Sequence, residues 1–448
     1  MKKIELLSTT VDGNAIRYQV REDKGLGLLQ SEVVDLFIRF HGDKKYETDL
    51  NAVPQSILML PISLYLLPIT YFYNVELVIP EMDKVLFARL PAIYDAYSRI
   101  YGPFKNEWRG GVNVGKIVEN TPIETSKYDK VVFFSGGVDA CHAGINNPGK
   151  KSLLVSIPDI ERDAKNEGAL RKEKFSLIKR FSQVVNSDWL LISNNFNSAL
   201  YKYGKIESCL RNERCLNSPA FTFDGFGGIR YLANMCCVAP IAFSTGITLL
   251  VMGSSFEQIE DKMNLNLDGA HPDLTNAIGF SNIIFSEQEG LLVRRSMKTR
   301  NIIEWCKNKG VTTKLWACFS DESTQCGYCN KCVRTQLNIL CAGENPKTWG
   351  FDNFSESKFT QYVKSYKYCE FNSCWLWDNI ETIEDNRIYP YCNDLLHWLK
   401  GIGYKEYSAI AFKTTTRDAK LAKVKKLLSV HRYPYYIKVI LSRLINRK

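Results

Sequence analysis

The stretch Val131-Val132-Phe133-Phe134-Ser135-Gly136-Gly137-Val138-Asp139-Ala140 constrains this chain more than any other. An unbroken apolar run of this kind reads as a strand buried on both faces of a parallel sheet. Ser-Gly-Gly at its end lets the backbone turn sharply and lets its N–H groups approach a ligand closely. A helix-compatible segment follows, and a helix N-terminus presents a positive dipole end. The combination suits a phosphate or pyrophosphate. The Lys-Ser/Thr pair of a Walker A loop is missing. A plain strand–turn–helix connection is the alternative reading of so short a stretch.

The surrounding pattern favours the phosphate loop. From Tyr128 onward, apolar runs alternate with helix-like segments, which predicts an α/β domain built on a parallel sheet. Strands are expected over 152–157, 189–193 and 247–252, with helices over 169–185 and 228–244. Ligands in such sheets bind beyond the carboxyl ends of the strands. Four polar or glycine-rich ends then line one rim. They are Ser135, Gly136, Gly137, Val138 and Asp139; Pro158 and Asp159; Asn194 and Asn195; and Gly253, Ser254 and Ser255. His271, between carboxylates in Asp268-Gly269-Ala270-His271-Pro272-Asp273, reads equally as a substrate contact or as a surface residue. Lys298, after Arg294-Arg295, reads equally as a phosphate-neutralising cation or as part of a solvated helix face.

The chain of 448 residues has room for two or three domains. Residues 1–125 read as a separate α+β accessory domain, with alternating strands over 15–20 and 35–40 and a helix over 84–101. The apolar run over 57–72 contains Pro61 and Pro68 and is short for a bilayer span, so a buried helix or hairpin is expected. Gly110-Gly111 and the polar run to Lys127 read as a linker. Residues 343–448 read as helical and basic. Their clusters at 420–426 and 443–448 are read first as a solvated face and only second as a nucleic-acid contact. The net charge of +10 agrees with an anionic ligand. No signal peptide or membrane anchor is read, and fourteen cysteines then indicate reduced thiols and a cytoplasmic setting.

Four cysteines form C-x7-C-x2-C-x2-C: Cys318, Cys326, Cys329 and Cys332. A C-x2-C turn supplies two zinc ligands from one knuckle, and Gly327 permits the tight turn. Four thiolates leave no open coordination position, so a structural zinc is the first reading. The spacing also admits an iron–sulfur cluster, or no metal at all.

The Ser-Gly-Gly-x-Asp loop resembles that of the N-type ATP pyrophosphatases, the PP-loop proteins with an adenine nucleotide α-hydrolase-like fold. Joined to W-x-C-x7-C-G-x-C-x2-C-x-R, it resembles the 7-cyano-7-deazaguanine synthases of the queuosine pathway over roughly residues 128–341. The longer chain looks closer to the large synthase-like proteins of bacterial gene clusters, including antiviral defence islands. The resemblance implies a PP-loop domain over 126–342 with its zinc knuckle at 318–332, while the regions 1–125 and 343–448 fall outside it. It implies an ATP-dependent ligase that adenylates the carboxylate of a 7-deazapurine and passes the acyl group to an amine, either ammonia or a protein amine. Ser135, Gly136, Gly137, Val138 and Asp139 would hold the pyrophosphate, directly or through Mg²⁺. Pro158, Asp159, Gly253, Ser254 and Ser255 would contribute to the nucleotide site. Asp139, Lys298 and His271 would act in catalysis, and the four cysteines would hold Zn²⁺. An oligomer is expected. Ala140 departs from the Ser or Thr that many of these loops carry. A tRNA-thiolating enzyme using Cys141, and a silent nucleotide-binding module, are the alternative functions.

Overall fold

The computed structural model describes residues 1–42, 49–101, 110–121, 127–157, 167–206, 236–254, 272–318, 324–369 and 373–430. They divide into two compact units, Met1–Gln325 with Thr348–Gly350, and Cys326–Lys347 with Phe351–Lys448.

The first unit is α/β. Its strands are β1 (Lys2–Asp12), β2 (Ala15–Glu22), β3 (Val33–Gly42), β4 (Val75–Asp83), β5 (Gly111–Val118), β6 (Lys130–Phe133), β7 (Ser152–Ser156), β8 (Asp188–Asn194), β9 (Leu249–Gly253), β10 (Gly279–Phe280) and β11 (Ile283–Glu289). They form one eleven-stranded sheet in the order β10-β11-β9-β6-β7-β8-β3-β2-β1-β4-β5. From β11 to β8 every neighbouring pair is parallel. These strands read as apolar runs because both faces are covered: Val131, Val132, Leu153, Leu154, Leu190 and Leu191 are all buried.

Strand β6 has β7 on one side and β9 on the other. The strand order reverses there, the position beside which ligands bind in open α/β sheets. The Ser-Gly-Gly turn leaves β6 at that point.

The N-terminal residues, expected as a separate domain, extend this same sheet. β3 pairs antiparallel with β8, from Ile38 opposite Asn194 to Gly42 opposite Leu190. β3 alternates, burying Val34, Leu36, Ile38 and Phe40. The free edge of β8 supplies the backbone partners that this strand needs.

The expected linker after Gly110 is strand β5, parallel to β4 from Glu76 opposite Gly111 to Asp83 opposite Val118. As the end strand it is largely exposed, so apart from Val112 and Val114 packing on the core its residues need not be apolar. That is why it resembles a linker in sequence.

The apolar run before β4 folds as a helix, Leu60–Phe72, in which every residue is buried. Pro61 stands in its first turn, where a missing N–H costs nothing. A helix without a polar face must be covered all round. No described helix is long and apolar enough to cross a membrane.

The second unit is helical, as expected for this end of the chain, but it begins at the cysteine knuckle. Its helices are Asn330–Cys341, Glu356–Lys364, Ser373–Glu381 and Asn393–Val430, the last interrupted at Gly403 with φ 71°. Asn379 Nδ2 donates to Asn338 Oδ1 at 2.6 Å, and Tyr407 Oη donates to the Val363 carbonyl at 2.8 Å. The basic tail at 443–448 lies outside the described residues.

Leu64 is fully buried in this helix. Leu64→Ala should cost about 2–5 kcal/mol in urea unfolding, the range for a buried leucine that leaves a cavity. A loss below about 1 kcal/mol would contradict this burial.

Candidate phosphate loop and cysteine cluster

Strand β6 ends at Phe133 and the next helix, Val138–Asn146, starts after Gly137. The two glycines between them have different reasons to be there. Gly136 has φ +86°, a left-handed conformation that favours glycine. A Cβ on it would lie 2.3 Å from Leu177 Cδ2 and 3.0 Å from Trp316 Cβ. The fold itself therefore demands Gly136. Gly137 has ordinary φ −71° and ψ 168°, and a Cβ there would meet nothing nearer than Ser135 Oγ at 3.6 Å. No fold constraint calls for glycine at that position.

Gly137 is the N-cap of the helix and offers no side-chain cap. The first N–H groups of a helix have no acceptor within it, so this end suits an anion. The Gly137 N–H lies 3.4 Å from Ser135 Oγ, and the Cys141 N–H donates to the Gly137 carbonyl at 2.9 Å.

The turn is fixed from outside by two contacts. The Trp316 N–H donates to the Gly136 carbonyl at 2.6 Å. A Cβ on Gly253, at the end of β9, would lie 2.3 Å from the Asp139 carbonyl oxygen and 2.9 Å from the Ala140 nitrogen. Glycine thus lets the end of β9 abut the first turn of the loop helix. The sequence marks Gly253 as a rim residue; its packing role emerges only in the fold.

Asp139 lies in that first turn, and both its oxygens are engaged. Arg295 Nε donates to Oδ2 at 3.1 Å and Lys298 Nζ donates to Oδ1 at 3.0 Å. Lys298 is fully buried and also donates to the Ser254 carbonyl. The solvated-face reading of Lys298 is therefore incorrect. Burial alone would raise the Asp139 pKa, but the charges of Arg295 and Lys298 outweigh it and hold the carboxyl at about 2. Two cations against one carboxylate leave one positive charge beneath the loop.

Arg295 escaped the sequence reading, as did His142 on the loop helix. Both are buried, His142 beside Asn146 and Asn301. Asp139, His142 and Asn146 recur at helical spacing, as do Arg295, Lys298 and Asn301 on Arg295–Lys309; that matched polar spacing was the available signal. Between β11 and that helix, Leu292 adopts φ 63° and is 44% exposed, as is its neighbour Leu291 at 40%.

Ser254 is buried, and its N–H donates to the Glu289 carbonyl at 3.0 Å. Pro158, Asp159, Ser255 and His271 lie outside the described residues. Cys141 is fully buried, and burial pushes its thiol far above the ordinary range, as do nearby Cys306 and Asp139. It is a packing residue.

The sulfur atoms of Cys318, Cys326, Cys329 and Cys332 all lie within 4.8 Å of one another. Cys326 Sγ and Cys332 Sγ are 3.9 Å apart. A tetrahedral ion bonded to thiolates at about 2.3 Å requires sulfurs about 3.8 Å apart, so the set fits one ion. The Cys329 N–H points at Cys326 Sγ from 3.3 Å, and Gly327 takes φ +80° in the turn. Upstream, Gln325 fixes the backbone that leads into the cluster: its Oε1 accepts from the Ala317 N–H at 2.7 Å, and its Nε2 donates to the Leu315 carbonyl at 2.8 Å.

No protein-family model, curated protein or solved structure matches this chain.

Asp139→Asn should destabilise the protein by about 3–5 kcal/mol, because it leaves the buried Lys298 without its counter-charge. The stabilisation by ionised Asp139 is fully present above the unfolded carboxyl value of 3.8 and is lost as pH falls through about 2. The stability gap between wild type and variant should therefore shrink across that window, and a gap independent of pH would contradict the pairing. Cys329→Ser should lower both metal content and melting temperature, since it opens a closed ligand set. A metal-replete variant of unchanged stability would contradict the cluster as a metal site.

Proposed function

We propose that the chain is an ATP-dependent ligase that adenylates a carboxylate, with the loop Ser135, Gly136, Gly137, Val138 and Asp139 holding the pyrophosphate end of ATP through its backbone N–H groups. The observation that carries this reading is Gly137. Its φ is ordinary and it has room for a methyl group, yet the side chain is absent at the mouth of the loop. Close approach of a phosphate to the backbone explains a glycine that the fold does not require. The loop also leaves β6 where the strand order reverses, the usual ligand crevice of such sheets.

In this mechanism the carboxylate oxygen of the acid attacks the α-phosphorus, forming an acyl-adenylate as the bond to the β-phosphate oxygen breaks. Pyrophosphate leaves with that electron pair. An amine then attacks the acyl carbon, AMP departs and the nitrogen loses its proton to solvent. Charge accumulates on the leaving pyrophosphate, where fixed donors and cations are most effective. The loop N–H groups and the net positive charge of Asp139, Arg295 and Lys298 supply that field. Mg²⁺ would accompany ATP and neutralise its phosphates; with both oxygens in ion pairs, Asp139 is not assigned to it. The four cysteines would hold Zn²⁺, which closes the fold of the knuckle and leaves no coordination position for chemistry.

The acid is proposed to be a 7-deazapurine carboxylate and the acceptor ammonia or a protein amine, by the sequence resemblance. A cytoplasmic setting and an oligomer belong to the same proposal, as does antiviral defence. The tRNA-thiolation alternative loses its nucleophile, because Cys141 is buried with a raised thiol pKa.

ATP–pyrophosphate exchange with 7-carboxy-7-deazaguanine tests the reading. Exchange is expected from the wild type and should fall at least ~10²-fold in Gly137→Ala, whose methyl crowds the phosphate approach, with an unchanged melting temperature. Full exchange by that variant would remove the loop from the mechanism. A wild type that binds ATP but never yields pyrophosphate would instead indicate the silent module.

A further inference from the structure

We infer that His142 is a positioning residue: a neutral imidazole, protonated on Nε2, that holds the loop helix against the helix carrying Arg295 and Lys298. Its link to nucleotide binding rests on the function proposed above, whereas its protonation state does not.

The hydrogen-bond network fixes the tautomer. Asn146 Nδ2 donates to Glu289 Oε1 at 2.9 Å, and a carboxylate at neutral pH only accepts. The Asn146 amide is therefore oriented with its nitrogen toward Glu289. The same nitrogen lies 3.4 Å from His142 Nδ1, and its second N–H is available to that atom. Nδ1 then accepts, and the single proton of a neutral ring sits on Nε2. Across from Nε2, at 3.3 Å, is Nδ2 of Asn301. Two amide N–H groups cannot both donate to a ring that keeps one proton; Asn146 is oriented by the Glu289 carboxylate, so the Asn301 amide is the one that turns, bringing its oxygen to Nε2.

The packing admits no second cation here. His142 is 4% exposed. Three elements face it: Lys298 and Asn301 from the helix Arg295–Lys309, Glu289 and Gly290 from the end of β11 and the turn after it, and Asp139 and Asn146 from its own helix. A Cβ on Gly290 would lie 3.1 Å from His142 Nδ1 and 2.9 Å from Lys298 Cε, so that glycine makes room for both side chains. Burial and Lys298 push the imidazole pKa below its ordinary value, while Glu289 and Asp139 oppose them less strongly. Protonation would turn the Nδ1 acceptor into a donor facing the Asn146 N–H, next to Lys298. The ladder joining the two helices would open beside the Asp139 pair, and the loop would lose its alignment.

Long-range ¹H–¹⁵N spectra of the intact protein read the ring state directly. The chain has five histidines, so the His142 signal is identified by its loss in His142→Asn, or by elimination with substitutions at His41, His271, His397 and His431. At pH 7 the spectrum should show bare Nδ1 and protonated Nε2. The Nδ1–H tautomer, or an imidazolium at pH 7, would overturn the inference.

His142→Asn keeps an acceptor near the Nδ1 position and cannot titrate. The histidine's contribution to stability is fully present above the unfolded value of 6.5 and is lost as pH falls toward the lower folded value. Because protonation would open the ladder beside the loop, wild-type affinity for a non-hydrolysable ATP analogue should drop more between pH 7 and 5 than that of the variant. Parallel pH profiles in affinity would reduce His142 to a packing residue. If the analogue binds neither protein, the nucleotide reading fails by itself, and the pH dependence of the melting temperature carries the comparison: a wild type that loses more than His142→Asn supports the inference, and equal losses overturn it.

Discussion

A buried lysine determines how the candidate site is built. Lys298 is fully enclosed, so its charge has to be met by acceptors that the fold brings to it. Asp139 provides one from the first turn of the loop helix, and the Ser254 carbonyl provides another from the end of β9. The two meet at Lys298 because β9 approaches the loop helix closely, and that approach depends on the missing side chain of Gly253. The ion pair, the glycine and the strand end are thus one constraint expressed at three positions.

The same logic extends to the far side of the loop. Trp316 clamps the Gly136 carbonyl through its N–H, and its Cβ occupies space that any side chain on Gly136 would need. The Leu315 N–H in turn donates to the Trp349 carbonyl, and Gln325 Nε2 reaches the Gly350 carbonyl at 2.8 Å. The two motifs of the sequence, Ser-Gly-Gly-x-Asp and W-x-C, therefore meet in one backbone contact. Trp316 shapes the Ser-Gly-Gly turn while standing two residues before Cys318.

Legibility in the sequence followed burial. Strands β6, β7 and β8 were readable because both faces are covered and their residues must be apolar. The helix Lys84–Tyr101 was readable from its periodicity. β5 was not, since an edge strand open to solvent obeys no such rule. Nor was the joining of residues 1–118 to the loop domain's sheet, because β3 could have paired with any free edge, and the pairing with β8 is set by tertiary structure. Within the site, the loop and the cysteines announced themselves through special residue types at short spacing. Lys298 remained balanced between two readings, because a helical lysine in the sequence carries no sign of whether it is enclosed. Arg295 and His142 were overlooked for the same reason: their partners lie more than 150 positions away in the chain, at Asp139 and Asn301.

The two glycines of the loop show what structure adds to a motif. In the sequence they are equivalent letters, and each fits either a sharp turn or a ligand cradle. Their backbone angles and surroundings separate these roles. Gly136 is fully accounted for by its left-handed φ and by Leu177 and Trp316, so it says nothing about a ligand. Gly137 has no such account in the fold. No clash and no left-handed φ requires glycine there, although an N-cap position itself favours glycine over alanine. An anion approaching the backbone would use the space that the missing side chain leaves. A ligand role is therefore left open to the second glycine of the motif and not called for at the first.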